Sequence, residues 1–232
     1  MKFLKKILLL VLIILIAIIS FAVKKGYDLY EQAISKTSIE EKIAEIRANE
    51  NYTTYEELPQ DYINAVVAVE DKRFFLHQGV DIISILRAIF IDIKNMEFEE
   101  GGSTITQQLA KNTYFTQEKN FTRKIAEIFM AAQYEKNCSK EEIFELYVNT
   151  SYFGDGYYCV KSAAQGYFEK LPKEMNLYEC TLLAGIPNAP SVYAPTKNPE
   201  LAKQRQAQVI KKMLKQKYLT QQQAEEILQT NE

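Results

Sequence analysis

The stretch Gly101-Gly102-Ser103-Thr104-Ile105-Thr106-Gln107-Gln108-Leu109-Ala110-Lys111-Asn112 gathers groups able to hold an anion. A glycine pair lets the backbone come close to a ligand. Ser103 or Thr104 can cap a helix behind it, and the N–H groups of that helix's first turn favour negative charge. Thr104, Gln107, Gln108 and Lys111 recur at helical spacing and can share one polar face. A helix turned to a core would carry apolar residues there. The combination suits a grip on a phosphate-bearing substrate.

Two acidic positions could add chemistry. Glu70 closes the apolar run Val66-Val67-Ala68-Val69. A carboxylate at the edge of an apolar wall suits a general base, and the adjacent Lys72 and Arg73 act against that effect. Asp71 is better placed to orient neighbours than to take a proton, and His77 reads as structural. Glu127 follows Arg123 and Lys124 at helix-face spacing. Taken alone, that trio reads as a surface ion pair worth well under about 1 kcal/mol.

The elements that must position these groups read as mostly helical. Asp61 to Glu70 is an apolar helix ending in a charged cluster, and Asp81 to Met96 is an amphipathic one. Ser139 with Glu142 forms a capping box for a helix reaching about Asn149. Asn176 with Glu179 opens another that stops near Gly185, ahead of Pro187 and Pro190. Asn198 sets a cap with Pro199 at the first helical position, and Thr220 with Gln223 caps a last short helix. No internal repeat or second-domain linker interrupts the chain.

The ordered motifs resemble the peptidoglycan glycosyltransferases, family 51, the transglycosylase domain of penicillin-binding proteins. Gly-Gly-Ser-Thr-Ile-Thr-Gln-Gln with Lys111-Asn112 is similar to the second family signature. Glu70-Asp71-Lys72-Arg73-Phe74-Phe75-Leu76-His77-Gln78-Gly79 is similar to the first, and Arg123-Lys124-Ile125-Ala126-Glu127 to the third. Segments from Ile143 to Lys170 and from Leu182 to Arg205 are similar to the fourth and fifth. The fourth reads as packing and the fifth as a cleft wall shaped by prolines. Cys159 and Glu169 stand where the family often has glycine.

The resemblance implies a mainly α, lysozyme-like two-lobed domain that polymerises lipid II into β-1,4-linked glycan strands by inverting displacement. It implies Glu70 as general base and Glu127 as second active-site carboxylate. Arg73, Ser103, Thr104, Gln107, Gln108, Lys111, Lys119, Arg123 and Lys124 are the expected substrate contacts. Lys119 falls where relatives can place an arginine; it keeps the charge but loses the bidentate fork. No carboxylate cluster specifies a protein metal site, so a divalent cation, Mg2+ or Mn2+, would travel with the substrate diphosphate. Lipid II, the growing lipid-linked strand, the membrane and other cell-wall synthesis proteins are the expected partners. A lysozyme-like hydrolase would also suit two carboxylates astride a sugar bond, but has no diphosphate to hold. A non-catalytic scaffold would not need both glutamates.

The start of the chain is consistent with a lipid-linked substrate. Ile7 to Val23 is apolar apart from Ser20, and about 17 helical residues reach roughly 26 Å, near the short end for a bilayer. Lysines flank both ends, so the positive-inside contrast is weak. A cleaved signal peptide, with Ser20-Phe21-Ala22 as its site, is the alternative; the length of the run and the tethering of a lipid-linked reaction favour an anchor. The expected organisation is a cytoplasmic tip at 1–6, a single-pass anchor in the cytoplasmic membrane at 7–25, a stalk at 26–51 and the catalytic domain at 52–232 on the outer face. No transpeptidase domain follows, so the expected type is monofunctional. The formal charge of −2 gives no case for nucleic acid, one histidine excludes a multi-histidine metal site, and three scattered cysteines form no disulfide framework.

Overall fold

The computed structural model describes residues 2–86, 102–116 and 120–229; their structure is mainly α, without a β-strand. The principal helices are α1 (Lys2–Lys36), α2 (Ile39–Arg47), α3 (Gln60–Glu70), α4 (Ile105–Tyr114), α5 (Phe121–Asn137), α6 (Lys140–Thr150), α7 (Val160–Phe168), α8 (Leu177–Gly185), α9 (Pro190–Tyr193), α10 (Pro199–Lys215) and α11 (Gln221–Gln229). Residues 82–86 are also helical. The rest of the amphipathic helix expected to Met96 lies outside the described residues.

α3 is the central helix. Seven of its residues, Tyr62, Ile63 and Ala65 through Val69, are buried, as befits a helix that is apolar on nearly every face. It packs on α8 and α10, while α4 packs on α5 and α6. Asp71 leaves helical geometry at φ −154°, so Glu70 is the last helical residue. The final carbonyls of α3 are taken by α10: Lys212 Nζ donates to Val69 O at 3.1 Å and Gln216 Nε2 to Ala68 O at 3.1 Å. A cation at a helix C-terminus also complements the macrodipole.

The capping boxes expected at Ser139 and Asn176 are present, and Thr220 pairs with Gln223. Pro199 does begin α10, but Asn198 does not cap it: its amide donates to Val192 O at 3.1 Å. The segment expected as a helical stalk or lead-in is helical over 26–36 and 39–47. α1 continues without a break past its apolar run, and its lower part lies along α5 in the most extensive helix pairing among the described residues. Gly26 makes that approach possible, since a Cβ there would meet Ile125 Cγ2 at 2.4 Å.

Candidate active site

α3, α4, α5 and α10 surround one cavity of about 560 Å3. Glu70, Ser103, Thr104, Gln107, Gln108, Lys111, Arg123, Lys124 and Glu127 all line it. These residues come from three separate motifs, so the fold unites what the sequence only placed in order. Lys119 lies outside the described residues.

On one side, Glu70 ends α3 above the fully buried rings of Tyr62 and Tyr147. Burial first, and the Glu70 charge as well, push both phenols well above their ordinary range. Gln108 donates its amide to Glu70 Oε2 at 2.8 Å. Arg205 Nη2 stands 3.5 Å from Oε1, yet Oε1 is buried without a hydrogen-bond partner among the described residues.

On the other side, α5 supplies a buried ionic trio. Glu127 is 1% exposed; Arg123 Nε lies 2.8 Å from its Oε1 and Lys124 Nζ 2.9 Å from its Oε2. Contact does not mean a formed bond at the first pair, because neither Arg123 Nε nor Glu127 Oε1 has hydrogen-bond geometry. We read it as a close ion pair whose N–H points off the line. Arg123 also donates to Thr116 O at 2.9 Å, and Lys124 to Ser103 Oγ at 2.6 Å. Lys111 is half-buried, and its side chain makes no ion pair or hydrogen bond among the described residues. Burial pushes its ammonium down, Arg123 and Lys124 push the same way, and Glu127 and Glu70 pull it back up.

The start of α4 differs from its expected role. Thr104 and Gln107 form a reciprocal capping box, and the Thr104 hydroxyl also donates to Gly79 O at 2.6 Å. The N–H of Ile105 is not open to a substrate anion. It donates to Asp71 Oδ2 at 3.1 Å, and the same oxygen meets His77 Nε2 at 2.8 Å. One N–H of the first turn of α4 therefore holds a protein carboxylate. Thr104 and Gln107 line the cavity with their hydrogen-bonding groups largely spent on the turn itself.

Arg73 is absent from the cavity lining, which includes Lys72. Arg73 Nε turns to Asp81 Oδ2 at 3.1 Å. Asp81 is 2% exposed and its carboxylate bonds Ser84, so it needs a counter-charge that Arg73 supplies. Burial pushes the Asp81 carboxyl up, but the Ser84 bonds, Arg73 and His77 together hold it below the usual range.

Sequence reasoning left Arg205, Lys212, Lys215 and Gln216 without roles, and all four line the cavity. Arg205 sat within the fifth segment. The signal that could have marked Lys212 and Lys215 is the row of cations along α10 after Arg205; Gln216, just past its end, carries no such signal. Among the described residues no cluster of three or more His, Cys, Asp or Glu forms a metal site.

The chain matches the model of the transglycosylase family over residues 37–214. It is 45% identical over 177 residues to penicillin-binding protein 1A of Neisseria lactamica, covering 76% of this chain and 22% of that protein. It is 45% identical over 175 residues to penicillin-binding protein 1A of Aquifex aeolicus, covering 75% and 24%. The chain thus spans about a quarter or less of the length of these curated relatives. A crystal structure of penicillin-binding protein 1A from Haemophilus influenzae aligns with 53% of this chain and 15% of that one, at 28% identity and a TM-score of 0.37.

Proposed function

The chain belongs to the transglycosylase family of peptidoglycan glycosyltransferases, and on that premise we propose that it polymerises lipid II into β-1,4-linked glycan strands, releasing undecaprenyl diphosphate. One juxtaposition supports this reading most. Glu70, with a buried carboxylate oxygen lacking a donor, lines the same cavity as Lys111, Arg123 and Lys124.

Glu70 takes the proton from the acceptor's sugar 4-hydroxyl as that oxygen attacks the donor's anomeric carbon. The bond from that carbon to the diphosphate oxygen breaks, and the diphosphate leaves with the electron pair. Displacement inverts the centre, so an α-linked donor gives a β-linkage. Cations fixed where the charge develops stabilise such a departure. Lys111, Arg123 and Lys124 fill that role, with Ser103 beside Lys124. Glu127 fixes Arg123 and Lys124 rather than attacking carbon. A divalent ion, Mg2+ or Mn2+, arrives with the diphosphate as part of the substrate.

The apolar run of α1, exposed along its length, serves as a single-pass anchor in the cytoplasmic membrane with the N-terminus inside. The test is polymerisation of labelled lipid II by the purified full chain in detergent with a divalent ion. A ladder of polymer supports the reading. Soluble sugars released from finished glycan would indicate hydrolysis, and no product from folded protein would contradict catalysis of either kind.

A further inference from the structure

The seam between α1 and α5 joins the apolar run rigidly to the cations of the cleft. At Gly26 the two backbones nearly touch: a Cβ there would lie 3.1 Å from Thr122 O as well as against Ile125. One turn on, Tyr27 and Tyr30 pack on Phe129, with ring centroids 5.2 and 5.9 Å apart, and Tyr30 is 6% exposed. Thr122, Ile125 and Phe129 form one face of α5 at helical spacing. Arg123, Lys124 and Glu127 lie on the nearly opposite face, at 100° per residue. A single helix thus reads the anchor on one side and the substrate on the other.

The heights follow from helix geometry. Gly26 is three residues beyond Val23, about 4.5 Å along α1 at 1.5 Å per residue. Thr122 sits at the level of Gly26, and Arg123 and Lys124 follow it directly. At the end of the apolar run Lys25 Nζ lies 4.9 Å from the centroid of the Phe21 ring; such a lysine reaches to the headgroups while the apolar ring beside it lies at the headgroup–acyl boundary. At that level Phe121, the first residue of α5, is 73% exposed. A large apolar ring left in the open beside an anchor helix continues the membrane surface already begun by α1.

We propose that α1 and α5 act as one gauge that seats Phe121 in the bilayer interface and holds Arg123 and Lys124 at the height of a lipid-linked diphosphate. The height argument rests on the lipid-linked substrate proposed above. The seating of Phe121 does not, and can be read without catalysis. The occupant of this surface is a phospholipid bilayer, and the device is the fixed spacing between Val23 and Gly26.

The protein contains no tryptophan, so Phe121→Trp introduces a lone reporter. The full-length variant in phosphatidylethanolamine–phosphatidylglycerol vesicles is challenged with lipids brominated near the headgroup or deep in the chain. Strongest quenching by the shallow bromines is expected; no quenching at either depth overturns the seating. Four alanines inserted between Val23 and Lys24 lift the cleft by about 6 Å and leave the seam intact. The insertion is expected to lower polymerisation of vesicle-embedded lipid II at least tenfold, since misplacement of about 1 Å can already cost ~100-fold, and to leave a short-chain, water-soluble analogue unaffected within twofold. Wild-type rates in vesicles, or equal loss on both substrates, overturns the height setting. A wild type inactive on both substrates contradicts the catalytic reading instead, and the quenching result still decides the seating.

Discussion

Gln108 donates its side-chain amide to Oε2 of Glu70 at 2.8 Å, tying the last residue of α3 to α4. The same helix carries Lys111 toward the cations of α5. α4 therefore holds the proposed base and one proposed phosphate contact in a single frame, and their spacing does not depend on a loop. Glu70 Oε1, 3.5 Å from Arg205 Nη2, is buried without a hydrogen-bond partner among the described residues.

Gln108→Leu removes that orientation and leaves both acids and all cations in place. Its kcat is expected to fall about 10- to 100-fold with KM little changed, the pattern for an interaction that matters in the transition state. Steady-state kinetics on lipid II distinguish this from a loss confined to KM, which would make Gln108 a simple binding contact.

Asp71→Ala should act through stability. Asp71 is 6% exposed, accepts the Ile105 N–H and pairs with buried His77. Its removal leaves an orphan helix-end donor and an orphan imidazole, at about 2–4 kcal/mol. Denaturant unfolding gives the cost, and hydrogen exchange should accelerate at the Ile105 amide. Unchanged stability would show that the carboxylate does not cap α4.

Lys111→Met should separate stability from activity. The Lys111 pKa is lowered by burial and by Arg123 and Lys124. The folded value lies below the unfolded one, so the unfolded chain binds the proton more firmly. The charged lysine therefore costs stability at neutral pH, and the cost fades as pH rises through the folded pKa toward the unfolded one. The methionine variant is expected to melt higher than wild type at pH 7, with the difference shrinking in alkaline buffer, while polymerisation falls at least ~100-fold. A lower melting temperature at pH 7 would contradict this.

Much of this site could be read from the sequence because its parts are local. Lys111 and Gln108 follow Thr104 on one helix, and Glu127 follows Arg123 and Lys124 on another, so spacing alone predicts their shared faces. Capping boxes at Ser139 and Asn176 are equally local. The misplacements arose where partners are distant. Asp71 and Ile105 are 34 positions apart, Lys212 and Val69 143 apart. No periodicity announces that a carboxylate from one motif will fill the helix terminus of another. Arg73 stands off the cavity lining for a related reason: its charge is paired with Asp81, whose burial is a tertiary fact. That the helix beyond the apolar run packs on α5 is equally non-local, because Gly26 and Ile125 meet across about a hundred residues.

Glu169→Gly is a stability prediction at a departure from the family pattern. Glu169 follows α7 in the left-handed region at φ 58°, where glycine is at ease and other residues are strained by about 1–2 kcal/mol. The variant should gain about 1 kcal/mol, less the added freedom of its unfolded chain, read as a raised denaturation midpoint. Cys159, the other departure, lies in extended backbone at φ −156° and caps α7 through its sulfur, so glycine there would bring no such gain. A lowered midpoint for Glu169→Gly would mean its side chain contributes more than the strain costs.

Glu70 is proposed to take the proton from the acceptor hydroxyl while the α4 and α5 cations hold the diphosphate. The most direct measurement compares wild type and Glu70→Gln on labelled lipid II, resolving polymer on a gel. A polymer ladder is expected from the wild type, none from Glu70→Gln, and unaltered lipid II binding by the variant, since glutamine keeps the shape and loses only the base. Polymer from Glu70→Gln at the wild-type rate would contradict the account and move the search for the base to Glu127.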